Sequence, residues 1–269
     1  MAYALYESSQ VGGSSEFWDM CWEKTSLERQ LAMTTKDDEL NIFLKYLPKN
    51  GKILEAGCGL GRWVICLKNR GYDIKGIDFS KQVIDLIKNY DPAIPVELGN
   101  IMDINYPDNY FDVYISLGVV EHFVEGPFNV LEEAKRVVKQ NGMLFISVPV
   151  FNPIRHVTLP FEKLFRFIIE NYLVRKLLGK SPYPPKNFIE YRFIRKEFSR
   201  HLLKLGFEIE EIIPFCHIEL GLFNHFLEPI FFLRNKHLLA IFRRTAKYLK
   251  NICPWLAPHM TMWIVRKIK

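Results

Sequence analysis

Five short apolar runs separated by segments of helical spacing constrain this chain more than any other feature. KILEAG (52–57), DIKGIDF (73–79), PVELGN (95–100), FDVYISLGVV (111–120) and MLFISVPV (143–150) are rich in β-branched and aromatic residues. The stretches between them, at about 61–70, 80–90 and 127–140, suit helices. Strands that are apolar along their length and alternate with helices require a parallel sheet covered on both faces. RKEFSRHLLKLG (195–206), FEIEEIIPF (207–215) and MTMWIVRKI (260–268) resume the rhythm as a helix and two strands. The expected fold class is α/β, with a seven-stranded, mostly parallel sheet.

Two interruptions of that rhythm divide the chain. The expected organisation is an N-terminal helical cap (1–50), an α/β core (51–150), an insertion (151–190), a core continuation (191–215), a second helical insertion (216–258) and a last strand (259–269). In the cap, Leu40, Phe43, Leu44 and Leu47 fall at helical spacing before Pro48 and Gly51 end the run. The net charge of +6 is concentrated in the insertions. Residues 155–180 hold six Lys/Arg against two Glu, and 221–258 hold six against one, which leaves the rest of the chain acidic. The N-terminus has no basic region followed by an apolar core, and no apolar run is long enough to span a bilayer. Cys21, Cys58, Cys66, Cys216 and Cys253 are scattered and form no Cys-x-x-Cys pair, so a reducing, cytoplasmic setting is expected.

The first apolar run leads into LEAGCGLGR (54–62), in which Gly57, Gly59 and Gly61 alternate with other residues. Strand, glycine-rich turn and helix form the nucleotide-binding corner of a Rossmann-like sheet, where the backbone approaches a ligand with no Cβ in the way. A dinucleotide fingerprint needs G-x-G-x-x-G, yet the spacing here is G-x-G-x-G and Arg62 stands where the third glycine belongs. No Lys-Ser or Lys-Thr follows, which removes the Walker pattern.

These residues, with others downstream in the same order, resemble the class I S-adenosylmethionine-dependent methyltransferases, in their type 11-like small-molecule branch. EAGCGLG matches the motif that packs against the cofactor's methionine part, implying roles for Glu55, Gly57, Gly59 and Gly61. GIDFS places Asp78 where the family's acidic residue accepts from the ribose hydroxyls. GNIMDINYP places Asp103 where a carboxylate accepts from the adenine amino group, and Met102 where a side chain packs on the ring. The resemblance covers residues 38–150 strongly and 195–215 more weakly, and it implies S-adenosyl-L-methionine as cofactor. Taken singly, Asp78 also suits a cap for the helix beginning at Ser80, and Asp103 a turn.

A sulfonium methyl is already electrophilic, so such a protein mainly aligns the acceptor and excludes water. An oxygen or carbon acceptor gains from a general base, and His122 in VVEHF, after the fourth strand, is the candidate. The competing reading is that Glu121 and His122 shape the loop. In the similar quinone-biosynthesis O-methyltransferases, an acidic residue three positions before the Glu-His pair helps hold a metal; here that position is Gly118, and no metal is expected. Phe17, Trp18 and Trp22 of EFWDMCWEK are assigned to core packing rather than to the site.

The insertions admit three readings: a lid over the acceptor, a subunit interface such as that of a homo-oligomer, or a peripheral contact with anionic lipid at the inner membrane face through 155–180 and 221–258. Each suits a small-molecule or lipid-like acceptor. Nucleic acid is disfavoured, because no zinc knuckle or RNA-binding module is present and SLGVVEH stands where base-directed enzymes carry Asn/Asp-Pro-Pro-Tyr. The competing classes are a nicotinamide-dependent oxidoreductase, opposed by the glycine spacing, and a non-catalytic cofactor-binding or membrane-associated scaffold.

Overall fold

The structure is a computed structural model that describes residues 2–8, 15–23, 25–35, 37–153, 176, 187–217, 252–255 and 258–269. In chain order its elements begin with β1 (Ala2–Ser8), α1 (Ser15–Glu23), α2 (Leu27–Thr34), α3 (Asp38–Tyr46), β2 (Lys52–Ala56), α4 (Arg62–Lys68), β3 (Asp73–Asp78) and α5 (Lys81–Tyr90). They continue with β4 (Val96–Leu98), β5 (Phe111–Leu117), a 3-10 turn (Val120–His122), α6 (Phe128–Val137), β6 (Val138–Pro149), β7 (Asn187–Phe193), α7 (Arg195–Lys204), β8 (Phe207–His217) and β9 (Pro258–Lys267).

The main sheet has seven strands in the order β4-β3-β2-β5-β6-β9-β8. Its pairs are parallel from β4 to β6, whereas β9 runs antiparallel to both β6 and β8. The alternation of side chains along a strand divides the core in two. Ile53, Val113, Ile115, Phe145 and Ile264 pack with residues of α2 to α5. Leu54, Tyr114, Leu144, Trp263 and Val265 pack with α6 and α7 on the other face. Both faces are therefore covered, as the continuous apolar runs require. The strand order reverses at β2, so the crevice at the carboxyl ends of β2 and β5 is the ligand position of an open α/β sheet.

The start of the chain departs from the expected helical cap. β1 is a strand that pairs antiparallel with β7 in a separate two-stranded sheet. Its partner lies far along the chain, so local periodicity carried no trace of the pairing, and tertiary contact decided the conformation. β7 itself crosses the expected boundary between insertion and core continuation. The expected helix at 127–140 ends earlier, at Val137, and β6 begins at once, because Val138 already faces Phe111 of β5. The insertion readings for 155–180 and 221–258 lie outside the described residues, apart from 176 and 252–255. Among the described residues, no helix is long and apolar enough to cross a membrane.

Lys267 at the end of β9 ties the sheet to the carboxyl end of α6. The residue is 7% exposed, and its ammonium donates to Asn109 Oδ1 (2.9 Å), Lys135 O (2.8 Å) and Val138 O (2.8 Å). A cation at a helix C-terminus meets the negative end of the helix dipole and satisfies carbonyls that the helix leaves free. Lys267→Met keeps the stem but leaves three acceptors without their donor. The expected result is a loss of about 2 kcal/mol in urea unfolding, with the slope unchanged.

Candidate functional site

The glycine loop is held in a shape that only glycine permits at two of its positions. Gly57 has φ 77° and Gly59 has φ 51°, both left-handed. A Cβ on Gly57 would lie 2.7 Å from a Val119 methyl, and one on Gly59 would lie 2.6 Å from the Trp22 ring. The Gly57 and Cys58 amides both donate to Ile77 O (2.9 and 3.0 Å), which pins the loop to the end of β3. Gly61, also left-handed, is the N-cap of α4. Gly59→Ala is expected to destabilise the fold by about 1–2 kcal/mol from the left-handed backbone. It should also push Trp22 away, so that adding Trp22→Ala to Gly59→Ala costs less than the two single losses summed, a coupling readable in a double-mutant cycle.

Asp78 follows at the end of β3 and is 5% exposed. Gly59 N donates to its Oδ2 (2.8 Å) and Ser80 N to its Oδ1 (3.0 Å). Burial raises the Asp78 carboxyl above its ordinary range, and the bonds from Ser80, Gly59 and Phe79 oppose that rise. The helix cap is a different residue: the Ser80 hydroxyl accepts from Val83 N (3.2 Å) and donates to Asp19 Oδ1 (2.6 Å). The capping alternative for Asp78 is thereby answered, and the same hydroxyl fastens α1 beside the loop.

These groups wall a cavity of about 950 Å³. Glu55, Gly57, Gly59, Asp78, Phe79, Asn100 and Ile101 line it. So do Leu117, Gly118, Val119, His122, Phe123, Ser147, Phe215 and Met260, which come from the carboxyl ends of β5 and β6 and from β8 and β9. Gly61, Met102 and Asp103 are not in the wall. Met102 and Asp103 are exposed on the turn just past Ile101, where Met102 N donates to Asn100 Oδ1 (2.9 Å). Glu55 is 3% exposed and its Oε2 has no hydrogen-bond partner. Burial pushes its carboxyl up to about 8, against the opposing field of Arg62. Arg62 opens α4 and is ion-paired with Asp37 and Glu39.

His122 ends the 3-10 turn that leaves β5. Its Nδ1 lies 2.8 Å from Ile189 O. A carbonyl only accepts, so Nδ1 carries the proton and Nε2 of the neutral ring keeps its lone pair. Burial lowers the imidazole below its ordinary range, which favours that neutral form. The neighbouring Glu121 does not join it: its carboxyl is buried outside the cavity wall, and its Oε2 lacks a partner. Burial, with Glu190 nearby, holds it far above the carboxylate range. Among the described residues, no group of three or more His, Cys, Asp or Glu is placed to hold a metal ion.

Trp18 and Trp22, expected from the sequence to pack in the core, both line the cavity, and Trp22 also packs against the core. Trp18 stands edge-on to His122 (centroids 4.9 Å apart, 90°) and stacks on Trp22 (5.8 Å). The signal in EFWDMCW was the i, i+4 pair flanking Asp19 on one helical face, but nothing local shows which surface that face meets.

Residues 54–146 match the family described as a methyltransferase domain. With the sheet order and the loop, that match makes residues 54–146 a methyltransferase domain of the kind found in the class I S-adenosylmethionine-dependent methyltransferases. The demethylmenaquinone methyltransferase of Bacillus licheniformis is 32% identical over 163 residues, covering 57% of this chain and 65% of that protein. The enzyme of the same name from Bacillus cytotoxicus is 28% identical over 184 residues, covering 61% and 73%. The chain thus spans just under two thirds of the first of these relatives. A crystal structure described as a SAM-dependent methyltransferase from Archaeoglobus fulgidus shares the fold, with a TM-score of 0.55 at 19% identity over 93% of this chain and 100% of that one.

Proposed function

We propose that the protein transfers a methyl group from S-adenosyl-L-methionine to oxygen or carbon of a small or lipid-like acceptor. The observation that carries this reading is a cavity lined both by the glycine loop, Glu55 and Asp78 and by His122. The chain fits the cofactor chemically: a buried carboxyl at Glu55 whose Oε2 has no hydrogen-bond partner suits an ammonium, and the glycine loop admits close backbone approach. When bound, the cofactor supplies a methyl group made electrophilic by its sulfonium. Glu55, Gly57 and Gly59 would hold the methionine part, with Gly61 shaping the loop behind them, Asp78 would hold the ribose hydroxyls, and Met102 and Asp103 the outer edge of the adenine. Trp18 and Trp22 keep water from the reacting centre. His122 Nε2 takes the proton of the acceptor as it is methylated.

The acceptor class is supported by the apolar residues that line the cavity with His122, such as Leu117, Phe123, Phe215 and Met260, by the two relatives named for demethylmenaquinone, and by a base suited to an acidic hydroxyl or carbon. Incubation with methyl-labelled cofactor and a panel of quinols, phenols, sugars and isoprenoid lipids tests it. Label should enter an aromatic or lipid-like member; transfer to nucleic acid alone would refute the assignment. Cofactor binding should also release a proton. With its carboxyl near 8, Glu55 is largely protonated at neutral pH, and an ammonium beside it lowers that value. Titrations with S-adenosylhomocysteine near pH 7, in buffers of different ionisation heat, should show release approaching one proton, absent in Glu55→Gln.

A further inference from the structure

We infer that the β-bulge at Ile189 is a positioning element for His122, and that strand β1 sets which imidazole nitrogen faces the cavity. The inference rests on the reading of His122 as the base. In the β1–β7 ladder, Leu5 faces Glu190 and Tyr6 faces Phe188, so two consecutive residues of β1 oppose residues two apart on β7, and Ile189 is the extra one. A bulge of this kind takes one residue out of the ladder and turns its backbone elsewhere. The Ile189 carbonyl is turned to His122 Nδ1, 2.8 Å away.

The rest of β7 is fixed around the same loop. Tyr191 Oη donates to Val124 O (2.7 Å), two residues past His122. Phe151 N donates to Phe193 O (2.9 Å), joining β7 to the end of β6. Trp18 of α1 closes the imidazole from another side. The first strand of the chain, through the register of its pairing with β7, therefore dictates the tautomer of the base. Imidazole free in water favours the Nε2–H form, in which the nitrogen facing the acceptor would hold a proton instead of a lone pair. The bond to Ile189 reverses that preference.

The test is a long-range 1H–15N correlation spectrum of the full chain labelled at histidine, recorded at about pH 8, where the ring is neutral. The His122 signals are identified by their loss in His122→Gln. The intact protein should show Nδ1–H with Nε2 unprotonated. Deleting residues 1–8 should lower the ratio of Nδ1–H to Nε2–H by roughly tenfold, the change one hydrogen bond commands. Replacing the Ile189–Glu190 amide by an ester, which weakens the Ile189 carbonyl as an acceptor, should lower it too and decides the matter if the deleted chain does not fold. An Nε2–H ring in the intact protein overturns the inference, as does a ratio unchanged in the folded variants. Binding of S-adenosylhomocysteine by the same samples reports separately on the proposed function.

Discussion

Asp78→Ala is expected to lower affinity for S-adenosylhomocysteine by roughly 100-fold. A carboxylate that accepts from two ribose hydroxyls makes charge-assisted bonds, each worth about 1.5–3 kcal/mol when its partner has no substitute. The Asp78 oxygens already hold Gly59 N and Ser80 N, so the substitution also frees the loop that must meet the methionine part. Both consequences weaken binding. Asp78→Asn keeps the shape and one acceptor oxygen, and it should fall between the parent and the alanine variant. Removing the buried carboxyl leaves the Gly59 and Ser80 amides without their acceptor and lowers stability, and thermal melts separate that loss from the loss of affinity. Unchanged affinity in a folded Asp78→Ala would remove the ribose assignment.

His122→Gln is expected to reduce turnover by about 10²- to 10⁴-fold, the range a positioned general base contributes, while leaving affinity for S-adenosylhomocysteine within about twofold. Glutamine can still donate to Ile189 O, so the contact survives while the titrating nitrogen is lost. The pH profile gives an independent signature. A base works when neutral, so the rate should fall as the solution is acidified through the pKa of His122. Burial lowers that value, placing the acid limb below the ordinary imidazole range of about 6.5. In His122→Gln the limb should vanish. Full turnover in the variant would make His122 a loop residue only.

Sequence legibility followed the range of the interactions. The strands of the main sheet were readable because burial on both faces forces continuous apolar runs such as MLFISVPV, and the loop was readable because its left-handed residues must be glycine. Asp78 was readable from its spacing to that loop. β1 was not, since the residues that make it a strand sit at 187–193 and leave no period in AYALYES. That Trp18 and Trp22 wall the cavity was not legible for a related reason: an amphipathic face records that something is buried, not what it is buried against. The Ile189 carbonyl is beyond any sequence pattern, because every residue has one and only the ladder register decides where it points. Met102 and Asp103 lie on the expected turn, but the cavity wall stops at Ile101.

The central claim is that this cavity takes an adenosyl sulfonium cofactor and not a dinucleotide. Calorimetric titration of the full chain with S-adenosylhomocysteine, with NADH in parallel, tests it most directly. Saturable binding with one site is expected for S-adenosylhomocysteine, and no heat of binding for NADH. Binding of NADH, or silence toward S-adenosylhomocysteine in protein shown by its melt to be folded, would contradict it.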